Sequence, residues 1–191
     1  MPMLDNVSIV DLGWGNIQSV RSSLLQIGIR SDILRLNEIE SWPVPDMETI
    51  IFPGIGSAEA FAKIPHSLRY DIKRRCLTAR KVIGICLGAQ ILCNYLEEAN
   101  CSGLQLFPAN VVRCDNDMVN IGYRQVDILE QQYRIYHCHG YQMNLTETLS
   151  EYSHKDNILL YAKFENIYVI QGHPEKSSRD GLKLLKSVLV S

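Results

Sequence analysis

The sequence predicts an α/β fold: a sheet with a parallel core and an antiparallel extension, with helices on both faces. Three observations predict it. Through Tyr95, strand-sized apolar runs alternate with segments whose apolar residues recur at helical spacing. Two of those runs end in glycine-rich turns, Gly13-Trp14-Gly15 and Pro53-Gly54-Ile55-Gly56. Over residues 104–171 the pattern changes to short β-branched and aromatic runs separated by Asn, Asp and Glu.

Val7–Asp11 is the first strand. Asn16 is placed to cap the helix after it, where Ile17, Val20, Leu24 and Ile27 share one face and Gly28 is a stop. Residues 31–36 read as the second strand and Thr49–Phe52 as the third. A helix over 68–79 has a charged face. Residues 82–85 form a fully apolar strand, as a central parallel strand must. A helix is expected over 87–95. The runs 111–113, 126–129, 133–138, Ile158–Phe164 and Ile167–Ile170 read as antiparallel strands. The chain closes with a helix from about Ser178, with Leu182, Leu185, Val188 and Leu189 on one face.

A length of 191 residues suits one domain, taken as residues 1–191. The net charge of −2 and the lack of a long basic tract argue against nucleic acid as a partner. The local cluster Lys73, Arg74, Arg75, Arg80 and Lys81 reads as the wet face of a helix. No run is long enough to cross a membrane, and the N-terminus lacks the pattern of a signal peptide. Six cysteines without close pairing read as reduced thiols, so a cytoplasmic location is expected. No metal site and no cofactor are expected: His137 and His139 flank Cys138 without an evident third ligand.

The chemistry concentrates in Gly84-Ile85-Cys86-Leu87-Gly88-Ala89-Gln90. A cysteine where an apolar strand meets a helix, with glycines two residues to either side, is a nucleophile elbow carrying sulfur. The helix N-terminus there favours thiolate and offers N–H groups to an oxyanion. Such a nucleophile needs an oriented base. Gly172-His173-Pro174-Glu175 supplies His173 after an apolar strand, with Glu175 two residues on. Gly54 and Gly56 end another parallel strand and are read as the second oxyanion element. Cys76, Cys93, Cys101, Cys114 and Cys138 are read as small buried hydrophobes.

These residues resemble the signatures of class I glutamine amidotransferases, which have a flavodoxin-like sheet. The opening 9–16, Phe52-Pro53-Gly54-Ile55-Gly56 and the ending from His173 to Lys186 are similar to glutaminase subunits of imidazole glycerol phosphate synthases, of histidine biosynthesis. The resemblance implies that Cys86 attacks the side-chain amide of L-glutamine and forms a thioester, with His173 as base and Glu175 orienting it. It implies that Gly54, Gly56 and Gly88 serve the oxyanion and that Gln90 and Glu98 hold the amino-acid end of glutamine. His139-Gly140-Tyr141 stands where the family has His-Ser-Tyr, whose backbone contacts glutamine. Ammonia is expected to pass into a (β/α)8-barrel cyclase or synthase subunit, forming a heterodimer. Val119-Asn120-Ile121-Gly122-Tyr123-Arg124 departs from the family's Pro-His-Met-Gly-Trp-Asn near the subunit interface, and residues 103–108 are less glycine-rich than in the family. An amidotransferase that makes amidino groups on surface sugars is therefore an alternative acceptor. A dormant regulatory subunit is a third reading, against which the intact Cys86, His173 and Glu175 argue. A cysteine hydrolase is a fourth, disfavoured by Gln90 and Glu98.

Overall fold

The computed structural model describes residues 6–38, 48–114, 119–128 and 130–191. Five strands of the main sheet are parallel: β1 (Val7–Asp11), β2 (Asp32–Arg35), β3 (Thr49–Phe52), β4 (Lys81–Ile85) and β13 (Ile167–Ile170). Two antiparallel strands, β12 (Ile158–Phe164) and β11 (Glu151–Lys155), extend it, giving the order β11-β12-β13-β4-β3-β1-β2. The central strands β3, β4 and β13 are buried at every residue, which accounts for their unbroken apolar runs.

Both faces are covered. On one, Val20 and Leu24 of α1 (Ile17–Gln26) and Leu184, Leu185, Val188 and Leu189 of α5 (Ser178–Val190) pack on Ile9, Ile51 and Ile83. On the other, Phe61 of α2 (Ala58–Ala62) and Ile72 and Cys76 of α3 (His66–Thr78) pack on Val10, Ile50 and Phe52.

The structure departs from expectation in four places. The helix expected over 87–95 stops early: α4 is Leu87–Gln90, and Cys93–Leu96 is a strand, β5. The Ile91 and Leu92 carbonyls accept from the distant N–H groups of Leu104 and Leu106, at 2.8 and 2.9 Å, so non-local partners replace the next helical turn. Ile167–Ile170, expected as antiparallel, is antiparallel only to β12 and runs parallel to β4. Ile158–Phe164 stays in the main sheet as β12, while the antiparallel runs before it leave that sheet. Phe107–Arg113 (β7) and Tyr141–Leu145 (β10) form a second sheet with β5 and Cys101–Ser102 (β6), while Asn120–Ile128 (β8) and Gln131–His139 (β9) form a separate ribbon. Leu129, the last residue of the 126–129 run, lies outside the described residues.

Finally, the basic cluster is not all wet. Arg75 is buried and pairs with Glu48 at 2.9 Å. Lys81 is buried under the C-terminus of α5, donating to the carbonyls of Val188, Leu189 and Ser191. Both satisfy groups that burial would otherwise leave unpaired. Among the described residues no helix is long and apolar enough to cross a membrane.

Candidate active site

Cys86 stands at the end of β4 with φ 50° and ψ −112°, in the left-handed half of backbone space that side chains avoid. Surrounding bonds hold it there. Its N–H donates to the Ile170 carbonyl at 2.8 Å, and its own carbonyl accepts from Ala89 and Gln90, both at 3.0 Å. Gly88 is obligatory by close approach: a Cβ there would lie 2.1 Å from the Phe52 carbonyl oxygen. The helix behind the sulfur is only four residues long, so its dipole is weaker than the sequence led one to expect. The sulfur is hydrogen-bonded to a histidine that stands just beyond the neighbouring strand.

That histidine is His173. Pairing of β13 with β4 matches Ile170 to Ile85 and brings the residues just beyond both strands together. His173 Nδ1 lies 2.8 Å from Glu175 Oε1, and both side chains are fully enclosed. The His173 N–H donates to the Tyr136 carbonyl at 2.7 Å, and its carbonyl accepts from Ser177 Oγ at 2.6 Å, so backbone and ring are both fixed. Burial alone would lower its pKa. The hydrogen-bonded sulfur of Cys86 and the Glu175 carboxylate outweigh this and push it up to about 10. The imidazole of His173 is therefore held in its protonated form at neutral pH, hydrogen-bonded to the sulfur of Cys86.

Beyond β3, Pro53, Gly54, Ile55 and Gly56 run alongside. A Cβ on Gly54 would come within 2.9 Å of Cys86 Cβ and 3.0 Å of His173 Cε1, so this strand lies directly against both groups. Ile55 has φ 77°, a strained conformation for a β-branched residue.

A cavity of about 410 Å³ opens over the sulfur. Its lining includes Cys86, His173 and Gly56 together with Gln90, Glu98, His139, Gly140 and Tyr141. The Tyr141 carbonyl accepts from Gln90 Nε2 at 3.1 Å and pairs with His139 Nδ1 at 2.9 Å, which joins the second sheet to the elbow helix. Glu98 accepts from the Ala58 N–H at 2.8 Å and from Ser57 Oγ at 3.2 Å, capping α2 from the cavity wall. Gly54, Gly88 and Glu175 do not line the cavity: Gly54 lies against Cys86 and His173, Glu175 against His173, and Gly88 against the backbone of Phe52 and Pro53.

Several residues at the site differ from the sequence reading or escaped it. Cys138, read as a buried hydrophobe, is exposed and lines the cavity, because the twofold alternation of β9 buries His137 and His139 and turns Cys138 outward. Asn16, expected to cap α1, makes no side-chain cap bond and reaches Glu175 instead. Ile55, Val119 and Lys176 also line the cavity, and no local signal marks them. His137 and His139 remain neutral: burial, then repulsion from surrounding cations, lowers their pKa to about 3 and about 4. Burial pushes the Cys76 and Cys93 thiols out of the titrating range. Among the described residues no cluster of three or more His, Cys, Asp or Glu side chains is arranged to hold a metal ion.

Fold and site together define an α/β protein with a Cys-His-Glu thiol centre at the carboxyl edge of a parallel sheet. The chain belongs to the class I glutamine amidotransferase family, whose model matches residues 8–190. It is 31% identical over 191 residues to a Staphylococcus aureus protein described as imidazole glycerol phosphate synthase subunit HisH, covering 96% of each chain. A Staphylococcus epidermidis protein of the same description is 31% identical over 189 residues, again with 96% of each chain covered. Among solved structures, a glutamine amidotransferase superposes with a TM-score of 0.74 at 14% identity, covering 97% of this chain and 99% of that one. A glutamine amidotransferase from Thermotoga maritima gives 0.60 at 15% identity, covering 97% and 84%. At those identities the structural likeness concerns the fold.

Proposed function

We propose that this chain is a glutaminase subunit that releases ammonia from L-glutamine for a synthase partner. The observation that carries the reading is the contact of strained Cys86 with the His173–Glu175 pair, at a cavity whose lining also includes Gln90 and Glu98. The Cys86 thiolate attacks the side-chain amide carbon. The oxyanion takes up N–H groups at the elbow and from Gly54 to Gly56. His173 gives its proton to the leaving nitrogen, and ammonia departs from a glutamyl thioester. Water then attacks the thioester, His173 takes its proton, and glutamate leaves with the thiolate restored. Gln90, Glu98 and the backbone of His139, Gly140 and Tyr141 hold the amino-acid end of the substrate.

The partner is a (β/α)8-barrel synthase subunit of the HisF type, docked over the cavity mouth, and ammonia passes into it. Val119 and Cys138 line the cavity, and Ile121, paired with Cys138, and Tyr123 on β8 are also exposed; such a run of exposed apolar side chains favours a protein partner. The named relatives favour imidazole glycerol phosphate synthase and histidine biosynthesis. The altered rim around Tyr123 favours, as a second acceptor, an amidotransferase that makes amidino groups on sugars. Six free thiols fit a reducing cytoplasm. The strained Ile55 peptide fits a site with low activity until the partner docks.

Complementation of a histidine auxotroph lacking its own glutaminase subunit tests the acceptor. Growth with the wild-type chain and none with Cys86→Ala is expected. Failure to grow, with glutamate release intact in vitro, would overturn the histidine assignment. Absence of both growth and release would point to a dormant subunit.

A further inference from the structure

Asn16 occupies the cap position of α1, yet its side chain bonds nothing in its own helix. Its φ of −92° and ψ of 50° lie away from the extended geometry that an N-cap uses. Nδ2 donates instead to Glu175 Oε1 at 3.3 Å, the oxygen that also receives His173 Nδ1 at 2.8 Å. The second carboxylate oxygen, Oε2, is buried without a protein partner. The Asn16 main-chain N–H donates to the Gly54 carbonyl at 2.9 Å, and Gly54 abuts Cys86 and His173. One residue thus touches the carboxylate behind the imidazole and the strand in front of the sulfur.

We infer that Asn16 is a positioning residue: its amide fixes the Glu175 carboxylate in line with His173, and its backbone ties that carboxylate to the strand at Gly54. This rests on the glutaminase reading of the site. A neutral amide donor is the group the position needs. It steadies an enclosed carboxylate without competing with the imidazolium as a second cation would. Asn16 is not part of the cavity wall, so its loss disturbs the imidazole and not the binding of substrate.

Two substitutions test this while sparing the helix, because Asn16 makes no side-chain cap bond that could be lost and both variants keep the backbone N–H. Asn16→Ser removes the reach to Glu175. Asn16→Asp keeps the size but replaces the donor with a like charge. Glutamine turnover is measured in the complex with the barrel partner. In the isolated chain, the pH dependence of Cys86 alkylation by iodoacetamide is followed on the Cys86 peptide. Both variants should lose roughly tenfold in kcat, the worth of a hydrogen bond to a charged group, with KM within about twofold. Their alkylation profiles should move to higher pH, with Tm unchanged in Asn16→Ser, because a less steady imidazolium holds less thiolate. Asn16→Asp should be the worse of the two. Wild-type turnover and an unshifted profile in Asn16→Asp would overturn the inference, since size alone would then suffice. If the wild type releases no glutamate but the profiles still shift, the glutaminase reading falls and the positioning role stands.

Discussion

Replacing Glu175 by Gln removes the charge that faces His173 while keeping its volume. The raised pKa of His173, from an ordinary 6.5 to about 10, corresponds to roughly 5 kcal/mol in favour of the imidazolium. Cys86 and Glu175 both contribute. An even division assigns about 2 to 3 kcal/mol to the carboxylate, which is roughly 50-fold in rate. The loss should exceed that, because the Gln amide can present N–H to Nδ1 and favour the wrong tautomer. The sign follows from the raised value. The folded protein holds the His173 proton more tightly than the unfolded chain does, so this stabilisation is full below about 6.5 and is lost as pH rises through about 10. In Glu175→Gln the upper edge should fall by one to two pH units. The assay is the pH profile of kcat/KM for glutamate release in the complex, supported by thermal denaturation at several pH values. A basic limb unchanged in position, with activity within a few-fold of wild type, would refute the claim that Glu175 sustains the imidazolium.

Three further outcomes follow from the same geometry. Gly88→Ala sets a methyl against the Phe52 carbonyl, 2.1 Å away before relaxation, and should cost about 3 kcal/mol or more, read calorimetrically as a Tm lower by roughly 10 °C. Ile121→Asp, at a side chain 68% exposed, should leave Tm within a degree or two but weaken partner association about tenfold or more by titration calorimetry. Native alkylation read by peptide mass spectrometry should label Cys86 and the exposed Cys138 well before the enclosed Cys76 and Cys93, and equal labelling of all four would contradict the assigned burial.

What the sequence revealed was whatever local geometry dictates. A cysteine between glycines at the end of an apolar strand can be read directly, because the left-handed turn at Cys86 and the 2.1 Å approach at Gly88 leave no room for other residues. Fully buried β3, β4 and β13 declare themselves by unbroken apolar runs. Less legible were features set by distant partners. Residues 91–96 carry an apolar pattern that suits helix or strand, and the choice falls to Leu104 and Leu106, which take the backbone carbonyls. Arg75 and Lys81 look solvated until Glu48 and the end of α5 close over them. Asn16 obeys a capping rule in sequence and breaks it in structure, because Glu175, 159 residues on, offers a charged acceptor. Gln90 and Glu98 came from resemblance alone, and the structure sets both in the wall of the cavity that Cys86 enters.

The proposed chemistry depends above all on Cys86 carrying the glutamyl group. The most direct measurement is denaturing mass spectrometry of the chain with its barrel partner, quenched in acid during glutamine turnover. A glutamyl adduct is expected on the peptide containing Cys86, discharged by hydroxylamine and absent from Cys86→Ala. Glutamate release that survives Cys86→Ala, or an adduct on another residue, would contradict it.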